Sequence, residues 1–259
     1  MGVVRGLLWG LAVLVVAVGT FLWSAPASFG DWALARISAG RVRLADTGGT
    51  LWDGKGRVVL ADTAMPSSDR YLLNGLVLPG QLRWQVRALP LLIGMVDITA
   101  SLDGISAPLK LSGSFNEIRG SAGMLNLPSV DLGRLGSPWN TIRPSAAVGL
   151  QWNEFTIQQG VFDGKLVIEL RDASSSMSPV RPLGSYRIDV DSRRSGTNVA
   201  LTTVNGPLNL AGKGVWDNRS GLRFSATAES DARERDRLQG FLALLGRREG
   251  DKIVFKIGA

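Results

Sequence analysis

The chain has no cysteine and no histidine in its 259 residues. Without cysteine there is no disulfide framework, no thiolate nucleophile and no iron–sulfur cluster. Without histidine the usual general base at neutral pH is missing, and so is the commonest zinc ligand. Serine triads and cysteine–histidine dyads are therefore excluded. Carboxylate pairs, a serine–lysine dyad and hard-cation sites remain open. Charge is also sparse, at 20% of residues against 45% apolar, which excludes a disordered chain for the bulk of the molecule. The length allows one or two domains with a sizeable core.

What is present is glycine, arginine and one long apolar run. The 32 glycines read as many turns. The net charge of +7 and a pI near 10.3 leave nucleic acid, an anionic membrane surface or an acidic partner as candidates. From Gly6 to Gly30 no residue is charged, and Leu7 to Trp23 is almost wholly apolar. As a helix the uncharged stretch is about 37 Å long, enough to cross a hydrocarbon core of about 30 Å. Trp9 and Trp23 stand near its ends, where indoles favour the interface. Ala25-Pro26-Ala27 has the form of a cleavage site, so a signal peptide is the competing reading. The length of the run and the single Arg5 ahead of it favour an uncleaved anchor. Residues 1–6 then form a short cytoplasmic tail, 7–27 the transmembrane anchor and 28–259 the body. Arg36, Arg41 and Arg43 follow the span, so the positive-inside rule does not itself send the body outward. A six-residue tail before a span nonetheless resembles a bacterial signal-anchor, which leaves the remainder outside the cytoplasm.

Beyond the run, Ser28 to Ser38 reads as a short helix. Ser28 and Asp31 stand at capping-box spacing, with Phe29, Trp32 and Ala33 on one face. From Arg41 the apolar period falls to two. Alternating runs recur at 41–44, 57–60, 81–87, 96–102, 108–111, 147–152, 165–170, 185–190, 198–204, 207–215 and 222–228. Short strands at this spacing, with Gly, Asp, Asn and Ser between them, give a mostly β body: a sandwich, a barrel or an open antiparallel groove. Asp231 and Glu234 stand at capping spacing, and Leu238, Phe241, Leu242 and Leu245 share one face of a C-terminal helix stopped at Gly246. Lys252 to Ile257 reads as a last strand. The polar stretch 172–182 can divide the body into two lobes, and Pro66–Asp69 reads as a shorter loop.

Asp53-Gly54-Lys55 is echoed by Asp163-Gly164-Lys165, each after an apolar pair. Asp-Gly suits a two-residue hairpin turn, so these read as equivalent turns rather than a carboxylate pair. Asp103 and Asp217 also stand in turn-like settings, which leaves glycoside cleavage by Asp53, Asp103, Asp163 or Asp217 without support. The six lysines supply no convincing serine–lysine dyad. Basic residues are spread along the chain among 22 acids, with no basic run carrying aromatics, so nucleic acid is not an expected partner. Trp52, Trp84, Trp152 and Trp216 stand inside apolar strands and read as packing residues.

Gly49-Thr50-Leu51-Trp52-x-Gly54 follows the apolar run. Pro79-Gly80 then opens a strand carrying Trp84, and Leu244-Leu245-Gly246-Arg247 precedes a last alternating strand. This ordered set resembles protein N of the bacterial type II secretion system, and the resemblance covers nearly the whole chain. It implies a single-pass inner-membrane protein with its body in the periplasm, an accessory role in moving folded proteins across the outer membrane, and no enzymatic activity or cofactor. The implied partners are other secretion components of the inner membrane or periplasm. A looser likeness to AsmA-like proteins implies a sheet whose apolar groove can carry lipid. Removing residues 1–27 takes away only Arg5, so the body keeps +6 of the +7 charge and is attracted to an anionic membrane surface.

Overall fold

A computed structural model of the chain describes residues 23–61, 75–135, 139–217, 221–250 and 252–258, with Trp9, Gly19 and Thr20 ahead of them. The expected loop at Pro66–Asp69 and most of the expected anchor lie outside the described residues. Among the described residues no helix is long and apolar enough to cross a membrane.

The body is one antiparallel meander in which each strand pairs with the next in sequence. It begins with β1 (Val42–Gly49) and β2 (Asp53–Ala61). The following strand is interrupted: β3 (Gly75–Val77) and β4 (Leu82–Val86) pair with successive parts of β2. Then come β5 (Met95–Ser101) and β6 (Leu109–Ser114). Two longer strands are each broken once, into β7 (Glu117–Gly120) with β8 (Gly123–Asp131), and β9 (Pro144–Trp152) with β10 (Phe155–Gln158). β7 pairs with β6 and β10, and β8 pairs with β9. β11 (Val161–Ser175) pairs with both β9 and β10 and joins the two halves of the sheet. The series continues through β12 (Gly184–Arg193), β13 (Gly196–Asn205), β14 (Leu208–Asp217) and β15 (Gly221–Ser230). It closes on β17 (Lys252–Ile257), which carries the short β16 (Arg247–Glu249).

All the alternating runs read from the sequence overlap these strands. The reason is geometric: successive side chains point to opposite faces, and most of the apolar side chains lie on one of them. Residues 172–182 fall at the end of β11 and in its connection to β12, and these two strands pair with each other along most of their length.

The meander has two rims. Residues 25–27 join it at one, which we call the entry rim. There Leu51 N–H donates to Ala25 O at 2.8 Å and Ala27 N–H to Gly49 O at 3.2 Å. Helix α1 (Ser28–Ile37) then runs beside β1, and Ala27, Leu34, Leu44 and Trp84 pack together. The short helix α2 (Ala88–Leu91) also lies at the entry rim, between β4 and β5. At the opposite rim the sheet rolls so that Leu76 of β3 packs on Leu125, Leu127 and Val130 of β8 and Val148 of β9. The short helix α3 (Trp139–Ile142) precedes β9 there. Helix α4 (Arg235–Leu245) closes the far end of the same rim. Its Leu238, Phe241 and Leu242 are buried against Val180, Leu183, Leu208, Ala228 and Ile253.

Two capping expectations need correction. The N-cap of α1 is Ala27 and makes no side-chain bond. Asp31 instead reaches β1, as described below. The face of α1 expected to be apolar is turned outward: Phe29 and Trp32 are exposed, while Leu34 faces the sheet. Before α4 a short 3₁₀ turn at Ala232–Glu234 takes the place of the expected capping box, and Glu234 bonds to Asp231 through the backbone alone.

Candidate functional site

The family-like residues form two packing stations and one outlier. At the first station, Gly49 adopts φ +86°, a conformation that L side chains rarely take. Thr50 N–H then donates to Asp53 O at 2.8 Å, and Asp53 N–H donates back to Thr50 Oγ1 at 3.0 Å. Leu51 and Trp52 form the tip of this turn. Trp52 O accepts from Val86 N–H at 2.7 Å, and Leu51 O accepts from the Trp84 indole Nε1–H at 3.0 Å. Trp84 is only 8% exposed, so this bond satisfies an indole that would otherwise be buried without a partner.

Gly54 is the seat for that indole. A Cβ there would lie 2.6 Å from Trp84 Cε2 and 2.6 Å from Thr50 O. Gly30 of α1 approaches the same ring, with space for a Cβ 3.3 Å from Cζ2. The Gly-Thr-Leu-Trp-x-Gly turn and the second tryptophan strand are therefore one structural unit. The turn supplies a carbonyl and a glycine floor, and Trp84 fills them.

The second station is Pro79-Gly80, at the break between β3 and β4. Gly80 has φ +93°, and a Cβ on it would meet Asp103 Cβ at 2.6 Å. Asp103 Oδ2 accepts from Gln81 N–H at 3.1 Å, so this carboxylate pins the break in the strand. Gly246 lies apart from both stations, between α4 and β16. Its backbone is extended, not left-handed, and a Cβ would meet Phe255 Cβ at 2.9 Å. The helix stops there because the chain must pass close over β17.

The reading of Asp53-Gly54 and Asp163-Gly164 as hairpin turns is corrected. Both pairs lie inside strands, Asp53 opposite Gln85 and Asp163 opposite Thr156. The second turn falls earlier, at Gln159 (φ +51°) and Gly160 (φ +80°). Gly164 instead makes room for Phe155, whose Cβ would be 2.6 Å from an added methyl carbon. The same device recurs at Gly123 beneath Trp152 and at Gly212 beneath Phe224, each with 2.6 Å to the ring. Trp152 even repeats the Trp84 bond, its Nε1–H donating to Ser121 O at 3.0 Å. Many glycines read as turn residues are thus strand residues that seat an aromatic ring from the neighbouring strand. A glycine at a same-face strand position is the sequence signal, but its aromatic partner lies on a different strand.

Sequence reasoning missed the ion pair that ties α1 to the edge of the sheet. Asp31 accepts from Arg43 Nε at 2.9 Å, from Arg43 Nη2 at 2.7 Å and from Leu44 N–H at 2.7 Å. Burial alone would raise its carboxyl. The hydrogen bonds from Arg43 and Leu44, with the guanidinium charge, outweigh that and hold it below the usual carboxylate range. The Leu44 bond also occupies an edge N–H of β1.

Asp103 is the strand pin just described, and Asp53 and Asp163 sit on strands that share no pairing. Among the described residues no group of three or more acidic side chains is placed to hold a metal ion. An open concavity of about 830 Å³ lies over β12–β15 and β17, with Asp189 and Asp191 on one side and Lys213, Arg223 and Lys256 on the other.

These features define a class, the antiparallel β-meander with sequence landmarks that build turns and seat tryptophans. Within that class, the chain belongs to the type II secretion system (T2SS) protein N family, whose model matches residues 40–254. The match begins just before β1 and ends inside β17, so it spans all of the meander but the end of its last strand. No curated protein and no solved structure gives a significant match. Membership assigns the chain to the type II secretion machinery.

Two outcomes test the site. Gly54→Ala forces a methyl group into the Trp84 ring and should cost about 1–3 kcal/mol. Gly240→Ala on α4, where nothing lies within 4 Å, should be neutral or stabilise by up to about 1 kcal/mol. Urea unfolding followed by tryptophan fluorescence reads both, and equal midpoints would remove the seating role of Gly54. Asp31→Asn should cost about 1–2 kcal/mol at neutral pH. A carboxyl held low contributes stability above its unfolded value near 4 and loses it as pH falls through the folded value. The gap between wild type and Asp31→Asn should therefore close in acid, and a gap independent of pH would contradict the charge-based account.

Proposed function

We propose that this chain is an accessory component of the type II secretion apparatus, held in the bacterial inner membrane by residues 7–27, with its body in the periplasm. It acts through protein–protein contacts, with other inner-membrane or periplasmic components of the apparatus as partners, and not as an enzyme. The observation that carries this reading is the family match along residues 40–254, nearly all of the meander. Two features support it: the uncharged run from Gly6 to Gly30, and conspicuous residues that build turns and seat rings. The test uses the tagged full chain in a secreting host. Deleting the gene should lower exoprotein release, other secretion components should co-purify with the tagged chain, and a reporter fused after Ala259 should be active on the periplasmic side. Unchanged release with no co-purifying component, or a reporter active only in the cytoplasm, would refute it.

A second reading, an AsmA-like carrier of lipid, is favoured by one specific observation. Ile98, Leu111, Ile118, Ile157, Val190 and Val199 follow one another along a single face of the sheet. All are half-buried and none joins a buried cluster. This middle stretch, between the parts covered by α1 and α4, leaves an apolar strip able to lie along an acyl chain. Native mass spectrometry of the full chain, extracted in mild detergent, should then show a bound phospholipid. A lipid-free spectrum would sink this reading and leave the first intact.

A further inference from the structure

The entry rim has an apolar corner next to the point where the N-terminal segment joins the sheet. Segment 88–95, Ala-Leu-Pro-Leu-Leu-Ile-Gly-Met, carries no charge. Leu89, Leu92 and Ile93 are 76%, 82% and 75% exposed, and Phe115 in the next turn is 64% exposed. Phe115 N–H donates to Gly94 O at 3.2 Å, which makes these side chains one patch rather than scattered residues. Contiguous exposed apolar surface of this kind marks a contact with something.

The corner lies where the N-terminal segment enters. A ladder of backbone bonds runs along the rim from Ala25 to Leu51, from Trp52 to Val86, and from Gly94 to Phe115. It continues from Asn116 to Gln159, and Arg194 then reaches the Gln158 side chain. Trp23, 72% exposed, stands just before the first rung. Polarity changes along the ladder: Leu89, Leu92, Ile93 and Phe115 come first, followed by Gln159-Gly160 and then Arg194-Ser195. The rim is apolar next to the segment expected to leave a bilayer and polar at Gln159-Gly160 and Arg194-Ser195, while Val215 and Trp216 near its far end are 43% and 38% exposed.

We propose that this corner docks on the lipid bilayer, with Leu89, Leu92, Ile93 and Phe115 inserted at head-group depth beside the anchor. The inference rests on the anchor reading given above. Apolar side chains on a short loop gain from interfacial burial in this way, and attachment to a span at the same rim makes the contact intramolecular. Two attachment points would fix the tilt of the meander over the membrane, which a single flexible anchor cannot do.

The absence of native cysteine makes the test direct. Single-cysteine variants of the full chain, Leu14→Cys, Leu92→Cys, Phe115→Cys and Asn205→Cys, carry a polarity-sensitive dye. They are placed in vesicles of phosphatidylethanolamine with a minority of phosphatidylglycerol, and lipids bearing the quencher either at head-group depth or mid-chain are added in parallel. Asn205 lies at the opposite rim and serves as the reference. The mid-chain quencher should quench the dye at 14, and the head-group quencher should quench those at 92 and 115 several-fold more than the one at 205. Quenching at 14 with positions 92 and 115 no different from 205 overturns the docking and leaves the anchor standing. No quenching at 14 overturns the anchor reading, and the docking with it.

Discussion

A single antiparallel sheet of this length has one apolar face to cover and two edges to protect, and the other elements answer to that constraint. At one end, α1 covers the face through Ala27 and Leu34 and blocks the edge through Asp31, which bonds both Arg43 and the Leu44 N–H. At the other end, α4 covers the face through Leu238, Phe241 and Leu242. The edge there ends in β16, three residues long and carrying two arginines and a glutamate. Short charged edge strands resist pairing with another chain. No disulfide helps, because the sequence has no cysteine. Stability rests on side chains that meet across the sheet, and the glycine-seated rings are the tightest of those meetings.

Much of this was legible in the sequence, for a local reason. Alternation is a property of five or six consecutive residues, so every run that kept it landed on a strand. The final strand, Lys252–Ile257, matched in both bounds. The elements that were missed are those where alternation slips. Ser121-Ala122 and Asn153-Glu154 interrupt two long strands, and Pro128 sits at a register shift within β8. The helix spacing of Leu238, Phe241 and Leu242 was read correctly because that pattern too is local.

The misread features depend on residues distant in sequence. Asp31 stands at capping distance from Ser28, but Arg43 and the β1 edge offer its carboxylate stronger bonds. Gly54 and Gly164 follow an aspartate as turn glycines do, yet Trp84 and Phe155 dictate their identity from neighbouring strands. The two family-like motifs could be read as ordered landmarks. That one motif is the socket for the other becomes visible only when β2 and β4 are paired. The pairing also explains why a short Leu-Trp-x-Gly string carries meaning: its glycine is useful only if a tryptophan arrives about thirty residues later to occupy it.

The nearest-neighbour order of the strands has a consequence for how the molecule is made. From β1 to β15 every strand finds its partner in chain already synthesised, apart from the local breaks in β3–β4, β7–β8 and β9–β10. Loop-closure entropy stays small at each addition, and the sheet can grow like a zipper behind the emerging chain. Only the last step departs from this, where α4 and β16 intervene in sequence before β17 reaches back to β15. A chain stalled before Arg235 would therefore hold a nearly complete sheet with its final edge, β15, still open. The terminal helix and hairpin act as the clasp that ends growth, and they make the newly formed edge safe in a crowded compartment.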